Sequence, residues 1–206
     1  MTGVRKARAA ETETALKDAA RKVFAERGYL NTKITDITAA AGRAAGSFYN
    51  HFAGKEELLS ALLADLLAEV DDTVQADPDH DPDFTHRASI RYHVAALFAF
   101  YRANRTVMVA LQQAAMVDET FAARLAELTK PNLGHMAEHL EYVRRAGHVL
   151  PGEPLPVARA IGALMWGFAH THLVDGDTGL TEEQAVDLVT DFILRGIAGR
   201  APDQPT

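Results

Sequence analysis

The chain has 206 residues, of which 48% are hydrophobic, and it contains no Cys. This composition supports a sizeable core and excludes a wholly disordered chain, a disulfide framework and a thiolate metal site. No apolar run approaches the roughly 18 residues that a membrane span needs, and the basic N-terminus lacks the apolar region of a signal peptide. We therefore expect a cytoplasmic protein without a membrane partner.

The formal net charge of −7 is unevenly distributed. Residues 1–55 contain ten Lys and Arg against five Asp and Glu, whereas residues 56–206 contain 11 against 23. A basic segment attached to an acidic body predicts that the N-terminal part meets a polyanion while the body has another task.

Apolar residues recur at helical spacing along almost the whole chain, and no convincing strand pattern is present. The first predicted helix carries an apolar face up to Phe24 and ends at Gly28. A short second helix, capped by either Thr32 or Thr35, ends at Gly42, and a third runs over 44–52. We therefore expect an all-α fold.

The remaining helices are predicted at 55–70, 84–104, 107–117, 118–146, 157–173 and 181–197. Asp118 should cap one of them, and Pro131 should kink or break it because proline lacks an N–H and crowds the preceding turn. Thr181 and Gln184 form a capping-box pattern at the start of the last helix. Residues 71–83 are expected to form a solvated acidic loop, and residues 199–206 a disordered tail.

The two short helices on either side of Gly42 have the shape of a helix-turn-helix, which places its second helix in the major groove of DNA. That second helix combines small, polar and aromatic residues. Basic Arg5, Lys6 and Arg8 precede the motif, either as an arm that reaches the minor groove or as a disordered tail.

Residues 12–70 resemble the TetR family of bacterial transcriptional regulators. The matching positions are Phe24, Gly28, Tyr29, Thr32, Asp36, Ile37, Ala41, Gly42, Gly46, Tyr49, His51, Phe52, Lys55 and Leu58. The resemblance implies a three-helix DNA-binding domain over 1–55 and a larger helical ligand-binding and dimerisation domain over 56–206. Two positions depart from the pattern: Arg43 stands where Val is frequent, and Ala44 stands where Ser or Thr usually caps the recognition helix.

Cations and hydroxyls should face phosphates, and short side chains should reach base edges. Tyr49 and Lys55 match family positions that touch the DNA backbone, whereas Asn50 suits adenine. The competing interpretation is that Ser47 and Asn50 are only solvated surface residues. His51 is expected to be structural or to face phosphate. The candidate DNA-binding residues are Thr32, Lys33, Arg43, Ala44, Ala45, Gly46, Ser47, Tyr49, Asn50, His51 and Lys55.

A short recognition helix is weakly specific alone, so we expect a homodimer on a near-palindrome. The last two helices are the candidate interface, because Gly162, Ala163, Gly167 and Ala169 permit close approach and Phe192 and Ile193 are apolar. The competing interpretation is that these helices close the monomer core.

The resemblance also implies a pocket for an apolar small-molecule effector in the body. Apolar walls with a few polar groups suit such a pocket, although Met and aromatic residues at helical spacing are more often core. The candidate effector residues are Tyr101, Met108, Gln112, Met116, His139, Tyr142, Trp166 and His170, with Gln113 and Phe168 beside them.

No metal site or cofactor is expected. His135 and His139 share a helix face, as metal ligands can, but neither Cys nor a Glu-x-x-His pair supports them. His170 and His172 diverge on a helix. No nucleophile elbow, phosphate loop or zinc-protease helix is present.

The sequence therefore predicts a ligand-responsive transcriptional repressor that binds a near-palindromic operator as a homodimer and is released by a small molecule. The alternative is a helical-bundle enzyme, a hydrolase or metal oxidase, with a basic N-terminal region. The missing catalytic residues argue against that alternative. A purely architectural DNA binder would not need about 150 acidic, apolar-cored residues.

Overall fold

The computed structural model describes residues 2–76, 80–176 and 178–197; for residues 2–4 and 69–76 it describes the backbone alone. Every regular element in these ranges is helical, which confirms the all-α fold with an N-terminal helix-turn-helix. The elements are α1 Thr2–Arg27, α2 Ile34–Ala40, α3 Ala45–Phe48, α4 Lys55–Ala76, α5 Arg87–Ala103, α6 Arg105–Val117, α7 Glu119–Arg145, α8 Pro154–His170, a π turn Thr171–Asp175, and α9 Glu182–Ile197.

The chain divides by its packing into two compact units. Unit 1 comprises Met1–Thr73 and Thr106–Leu128, and unit 2 comprises Val74–Arg105 and Thr129–Thr206. This structural division differs from the functional division into residues 1–55 and 56–206, because α6 and the start of α7 join the N-terminal helices. The functional boundary stays a prediction.

Unit 1 is built around apolar faces that helical spacing places on one side of each short element. Leu16, Ala20 and Phe24 of α1 are buried, as are Ile37 of α2 and Phe48 of α3. The α2 helix packs against both α1 and α3. The leucines of α4 at 58, 59, 62 and 63 are also buried, so α4 contributes an apolar face to unit 1.

Unit 2 contains a mutual packing of α5, α8 and α9. Each helix buries one face, represented by Val94 of α5, Ile161 of α8 and Val189 of α9. Ion pairs join α5 to α9 at the surface, since Arg91 Nε lies 2.8 Å from Asp187 Oδ1 and Arg87 Nε lies 2.7 Å from Asp191 Oδ1.

The caps confirm two predictions and correct one. The Gln184 side chain accepts the Thr181 N–H at 2.9 Å, and the Thr181 hydroxyl accepts the Gln184 N–H at 3.2 Å. Asp118 accepts the Phe121 N–H at 3.0 Å. Neither Thr32 nor Thr35 caps α2. Its first turn is held instead by the Asp36 carboxylate, which accepts the Lys33 N–H at 2.9 Å.

Several predicted boundaries are wrong. Arg5, Lys6 and Arg8 lie in α1 and do not form a disordered tail. The α4 helix continues to Ala76, beyond the predicted end at residue 70, and α3 ends at Phe48, before the predicted end at residue 52. Pro131 does not break α7, since it removes only its own N–H from the ladder.

The predicted tail of residues 199–206 lies outside the described residues, as does most of the central part of the predicted acidic loop. No single helix in the described ranges is long and apolar enough to cross a membrane. Helices α5 and α6 meet the criteria of length and composition only when they are taken together.

Candidate nucleic-acid interface and effector site

The turn of the helix-turn-helix is set by Gly42, whose φ of 63° lies in the left-handed region that favours glycine. Ala44 then precedes α3 in an extended conformation without a side-chain cap, because alanine lacks a hydroxyl. Phe48 anchors the helix in the core and is fully buried.

The opposite surface of this segment carries six of the expected DNA contacts. Ser47 is half-buried, and the other five are exposed: Ala44, Ala45, Gly46, Tyr49 and Asn50. Their side chains are small or flat, so DNA can approach the backbone of α3 closely. Contact of this surface with the major groove stays a prediction.

The three expected phosphate contacts at the start of α2 and α4 behave differently. Lys33 is exposed. Thr32 is only 3% exposed, and its hydroxyl donates to the Gly28 carbonyl at 2.7 Å, so its side chain is directed away from solvent. Its expected role at a phosphate is therefore a poor match to the structure.

Lys55 closes the turn that precedes α2. Its ammonium group donates to the carbonyl oxygens of Tyr29 at 3.0 Å and Thr32 at 3.3 Å, and lies 4.1 Å from the centre of the Tyr29 ring. The Tyr29 hydroxyl donates to Glu56 at 2.7 Å, and burial raises the pKa of Tyr29 well above its usual range. Gln113 accepts the Tyr29 N–H at 3.2 Å, a role different from the effector contact expected of it.

Two further expected DNA contacts are paired with acidic residues of α1. Arg43 Nη2 lies 3.1 Å from Glu11, and the Arg43 Nε is buried with no hydrogen-bond partner among the described residues. His51 is 13% exposed and lies 3.9 Å from Glu13. Arg43 therefore links the turn before α3 to α1, and His51 links the turn after α3 to the same helix.

Three of the expected effector residues come together in unit 2. The Tyr101 hydroxyl lies 2.7 Å from His170 Nδ1, and the Trp166 ring lies 5.8 Å from that of Tyr101. Burial raises the pKa of Tyr101 to about 12, so its hydroxyl stays protonated at neutral pH. His170 Nε2 lies 3.7 Å from Asp175, which suits a ring that accepts at Nδ1 and carries its proton at Nε2.

The other expected effector residues do not join this group. Met108, Gln112 and Met116 belong to unit 1, where Met108 is buried and Met116 is 84% exposed. In unit 2, Tyr142 is 47% exposed and His139 takes part in a different cluster. Helical spacing indicated buried or exposed faces but could not show which faces meet.

The surface of α9 supports the predicted dimer only in part. Leu188 and Phe192 are exposed, Phe192 by 66%, and line a groove of about 450 Å³ together with Asp191, Arg195 and Gly196. Ile193, however, is buried within unit 2. This placement makes Ile193 a core residue of the unit, contrary to the expectation that an interface would bury it.

The small residues of α8 divide in the same way. Ala163 and Gly167 are exposed, whereas Ala169 is buried. A Cβ placed on Gly162 would lie 3.3 Å from the Leu133 side chain, so Gly162 serves close packing inside unit 2. Only part of the small-residue stripe is thus open to a second copy.

Three histidines that are distant in sequence lie together in unit 2: His80, His93 and His139. Each offers a ring nitrogen, and these atoms lie within 4.8 Å of one another. The sequence pattern indicates only His135 and His139 on one helix face and predicts no metal site, so it misses this arrangement, in which His80 precedes α5 and His93 lies within it. No local spacing in the sequence signals such a cluster.

The helix-turn-helix lies in a segment that matches a known protein family. Residues 16–62 match the family model described as "Bacterial regulatory proteins, tetR family". The chain is 42% identical over 55 residues to the HTH-type transcriptional repressor DhaR of Mycobacterium sp.. The aligned segment covers 27% of this chain and 28% of that protein. It is 37% identical over 76 residues to the regulator TtgR of Pseudomonas putida, covering 37% and 36% respectively. The match to DhaR thus spans little more than a quarter of that relative's length.

The fold is shared over almost the whole chain. A protein from Syntrophomonas wolfei described as a TetR-family transcriptional regulator gives a TM-score of 0.74 at 21% identity, with 95% of this chain and 99% of that chain covered. The regulator FadR from Bacillus halodurans gives 0.71 at 20% identity, with 91% and 97% covered. The site and fold thus define a helix-turn-helix protein. The predicted resemblance to the TetR family is confirmed for residues 16–62, and the fold of the chain is that of solved TetR-family regulators.

Proposed function

We propose that this chain is a transcriptional regulator, a repressor that binds a near-palindromic DNA operator as a homodimer and is released by an apolar small molecule. The observation that carries the proposal is the exposed surface of α3 and the residues on either side of it, where Ala44, Ala45, Gly46, Tyr49 and Asn50 are exposed and Phe48 is buried. The basic balance of residues 1–55 supplies attraction to phosphate.

The family and its named relatives support regulation over catalysis. The family model describes regulatory proteins, and DhaR is named a transcriptional repressor. These descriptions disfavour the alternative of a helical-bundle enzyme. Because the proposed regulator binds DNA, its proposed location is the cytoplasm.

The exposed Leu188 and Phe192 on α9, beside Ala163 and Gly167 on α8, supply an apolar surface for a second copy. A two-fold dimer doubles the base contacts that one short helix makes, and sets its half-sites about 34–36 Å apart. The groups around Tyr101, Trp166 and His170 are the effector contacts that the geometry supports best, since they combine apolar rings with a polar end.

The test is selection of binding sites from random double-stranded DNA with the full chain at physiological salt. We expect enrichment of a near-palindrome whose two halves are about one helical turn apart. Fluorescence anisotropy on the enriched duplex and on a scrambled duplex of equal length then measures specificity. Equal affinity for the two duplexes, or no enriched sequence, contradicts the proposal.

A further inference from the structure

The His80, His93 and His139 cluster joins three separate segments of unit 2. His80 lies before α5, His93 lies within α5, and His139 lies on α7. The ring centroids of His80 are 5.2 Å from those of both other rings, and His93 and His139 are 4.8 Å apart. The three rings therefore converge on one point.

Two of the three rings are oriented by backbone carbonyls. His93 Nδ1 lies 2.9 Å from the Ser89 oxygen, and His139 Nδ1 lies 3.0 Å from the Pro82 oxygen. A carbonyl oxygen only accepts hydrogen bonds, so each Nδ1 carries the proton and each Nε2 keeps its lone pair when the ring is neutral. Metal-binding histidines are commonly fixed in this way by an outer partner.

The lone pair on His93 Nε2 accepts no hydrogen bond among the described residues. This nitrogen is buried and has no hydrogen-bond partner there. A buried polar atom left without a partner is rare in native structures and calls for an explanation such as an ion.

An ordinary aromatic core explains the cluster less well. Phe84 stacks on His139 with centroids 4.6 Å apart and planes at 1°, and its ring edge meets His93 at 4.9 Å. Phe84 thus supplies an apolar wall on one side, while three imidazoles face one another on the other. Three hydrophobic rings would fill this space without an unpaired nitrogen.

We propose that His80, His93 and His139 bind one divalent transition-metal ion, with zinc as the reference ion. Neutral imidazoles suit Zn²⁺, Ni²⁺ and Cu²⁺, whereas Mg²⁺ and Ca²⁺ require oxygen ligands. Zinc binds nitrogen at about 2.0–2.1 Å, so its ligands stand about 3.4 Å apart in a tetrahedron. The ring nitrogens, which now lie up to 4.8 Å apart, therefore need to approach one another by up to about 1.4 Å. Three protein ligands leave a fourth position for water or an anionic group, and the ion ties α5 to α7 within unit 2.

The test uses the full chain with any purification tag removed and metal stripped by a chelator. Zinc is titrated in competition with a coloured zinc chelator, and the matched variants are His80→Ala, His139→Ala and the control His148→Ala. His148 is exposed beyond the end of α7 and outside the cluster. Circular dichroism on every variant checks that the helices are retained.

We expect one zinc per chain at micromolar concentrations, and an affinity weakened by about 100-fold or more in His80→Ala and His139→Ala but unchanged in His148→Ala. Saturating zinc at about 100 times its Kd should raise the Tm of the wild-type chain by roughly 5–10 °C. His80→Ala protects the test against misfolding, because His80 lies outside the helices. Co²⁺ supplies a second readout, since a tetrahedral site colours the protein and loss of a ligand removes the colour.

The proposal is overturned if zinc fails to bind at micromolar concentrations. It is also overturned if zinc binds equally well to His80→Ala and His139→Ala, or if His148→Ala removes binding as strongly. These measurements need no DNA and no effector, so they stand apart from the proposed regulatory function.

Discussion

Lys55 holds Tyr29 in two ways at once: its ammonium group donates to the Tyr29 carbonyl at 3.0 Å and lies 4.1 Å from the centre of the Tyr29 ring. The first contact fixes the turn between α1 and α2, and the second fixes the ring that packs beside Phe24. A residue expected only to touch phosphate therefore also holds the start of α4 against the turn.

Replacing Lys55 by Met should destabilise the protein as well as weaken DNA binding. Two carbonyl oxygens lose a charged donor, so we expect the free energy of unfolding to fall by about 1–3 kcal/mol. Denaturant unfolding measures this change. Affinity should also fall for all DNA sequences, because the loss affects positioning and charge, not a base contact.

Lys33→Ala is the matched control, since Lys33 is exposed. It should weaken binding to every duplex and reduce the slope of log affinity against log salt by about 1, with the unfolding free energy nearly unchanged. If Lys55→Met is as stable as Lys33→Ala, the structural role assigned to Lys55 is wrong.

Asn50→Ala should change sequence preference more than overall affinity. Asn50 is exposed just beyond α3, and an amide that pairs with adenine contributes about 1–3 kcal/mol of discrimination. Affinity for the enriched operator should fall while affinity for scrambled DNA stays the same. The measurement is a set of single-base operator variants, and a uniform loss across all of them would assign Asn50 to the phosphate backbone.

The sequence predicted the helix-turn-helix because its signals are local. Gly42 takes the left-handed conformation that its position between two short apolar faces required, and Thr181 with Gln184 forms the capping box that its spacing indicated. Pro131 shows the limit of a local rule: one missing N–H was not enough to end a 27-residue helix.

The side-chain partners were less predictable because they depend on which helix faces meet. Nothing near Arg43 in the sequence indicates Glu11, and nothing near His139 indicates His80 and His93. The same holds for Tyr101 and His170, which were placed in one pocket by residue type alone and lie 2.7 Å apart. Distances across packed helices require the fold.

Phe192→Asp should dissociate the proposed dimer without unfolding the chain. Phe192 is 66% exposed within the single chain, so the carboxylate is tolerated there but is costly at an apolar interface. Sedimentation should show a monomer with helical content retained. Val149→Asp, at a 70% exposed site outside the last two helices, should remain dimeric.

Ile193→Asp should instead unfold unit 2, because Ile193 is only 3% exposed. A wild-type chain that sediments as a monomer at micromolar concentration would remove the dimer from the proposal.

Acid should weaken the contact between α5 and α9. Arg91 and Arg87 lower the pKa of Asp187 below its ordinary value of 3.8, so the folded state favours the charged carboxylate. The stabilisation is present above pH 3.8 and is lost as the pH falls through the lower folded-state pKa. Asp187→Asn should flatten the acid side of the stability curve, measured as the free energy of unfolding against pH.

The effector should be detectable through Trp166, the single Trp of the chain, whose ring lies 5.8 Å from Tyr101. Fatty-acyl, aromatic and polyketide-like compounds are the first to screen, since the Trp166 and Tyr101 rings offer apolar contact and His170 offers a polar end. A bound compound should change Trp166 fluorescence and weaken operator affinity about 5- to 150-fold, the range of a coupling of 1–3 kcal/mol. Because coupling is reciprocal, operator DNA should weaken binding of the compound by the same factor.

The variants Tyr101→Phe and His170→Gln separate binding from packing. Tyr101→Phe removes the hydroxyl that pairs with His170 Nδ1 and keeps the ring against Trp166. It should therefore weaken binding of the compound, while the fluorescence of the unbound protein stays close to that of the wild type. His170→Gln changes the other partner of that hydrogen bond and should also weaken binding of the compound. A compound that changes Trp166 fluorescence but leaves operator affinity unaltered would show a pocket without regulation, and release by a small molecule would then have to be withdrawn.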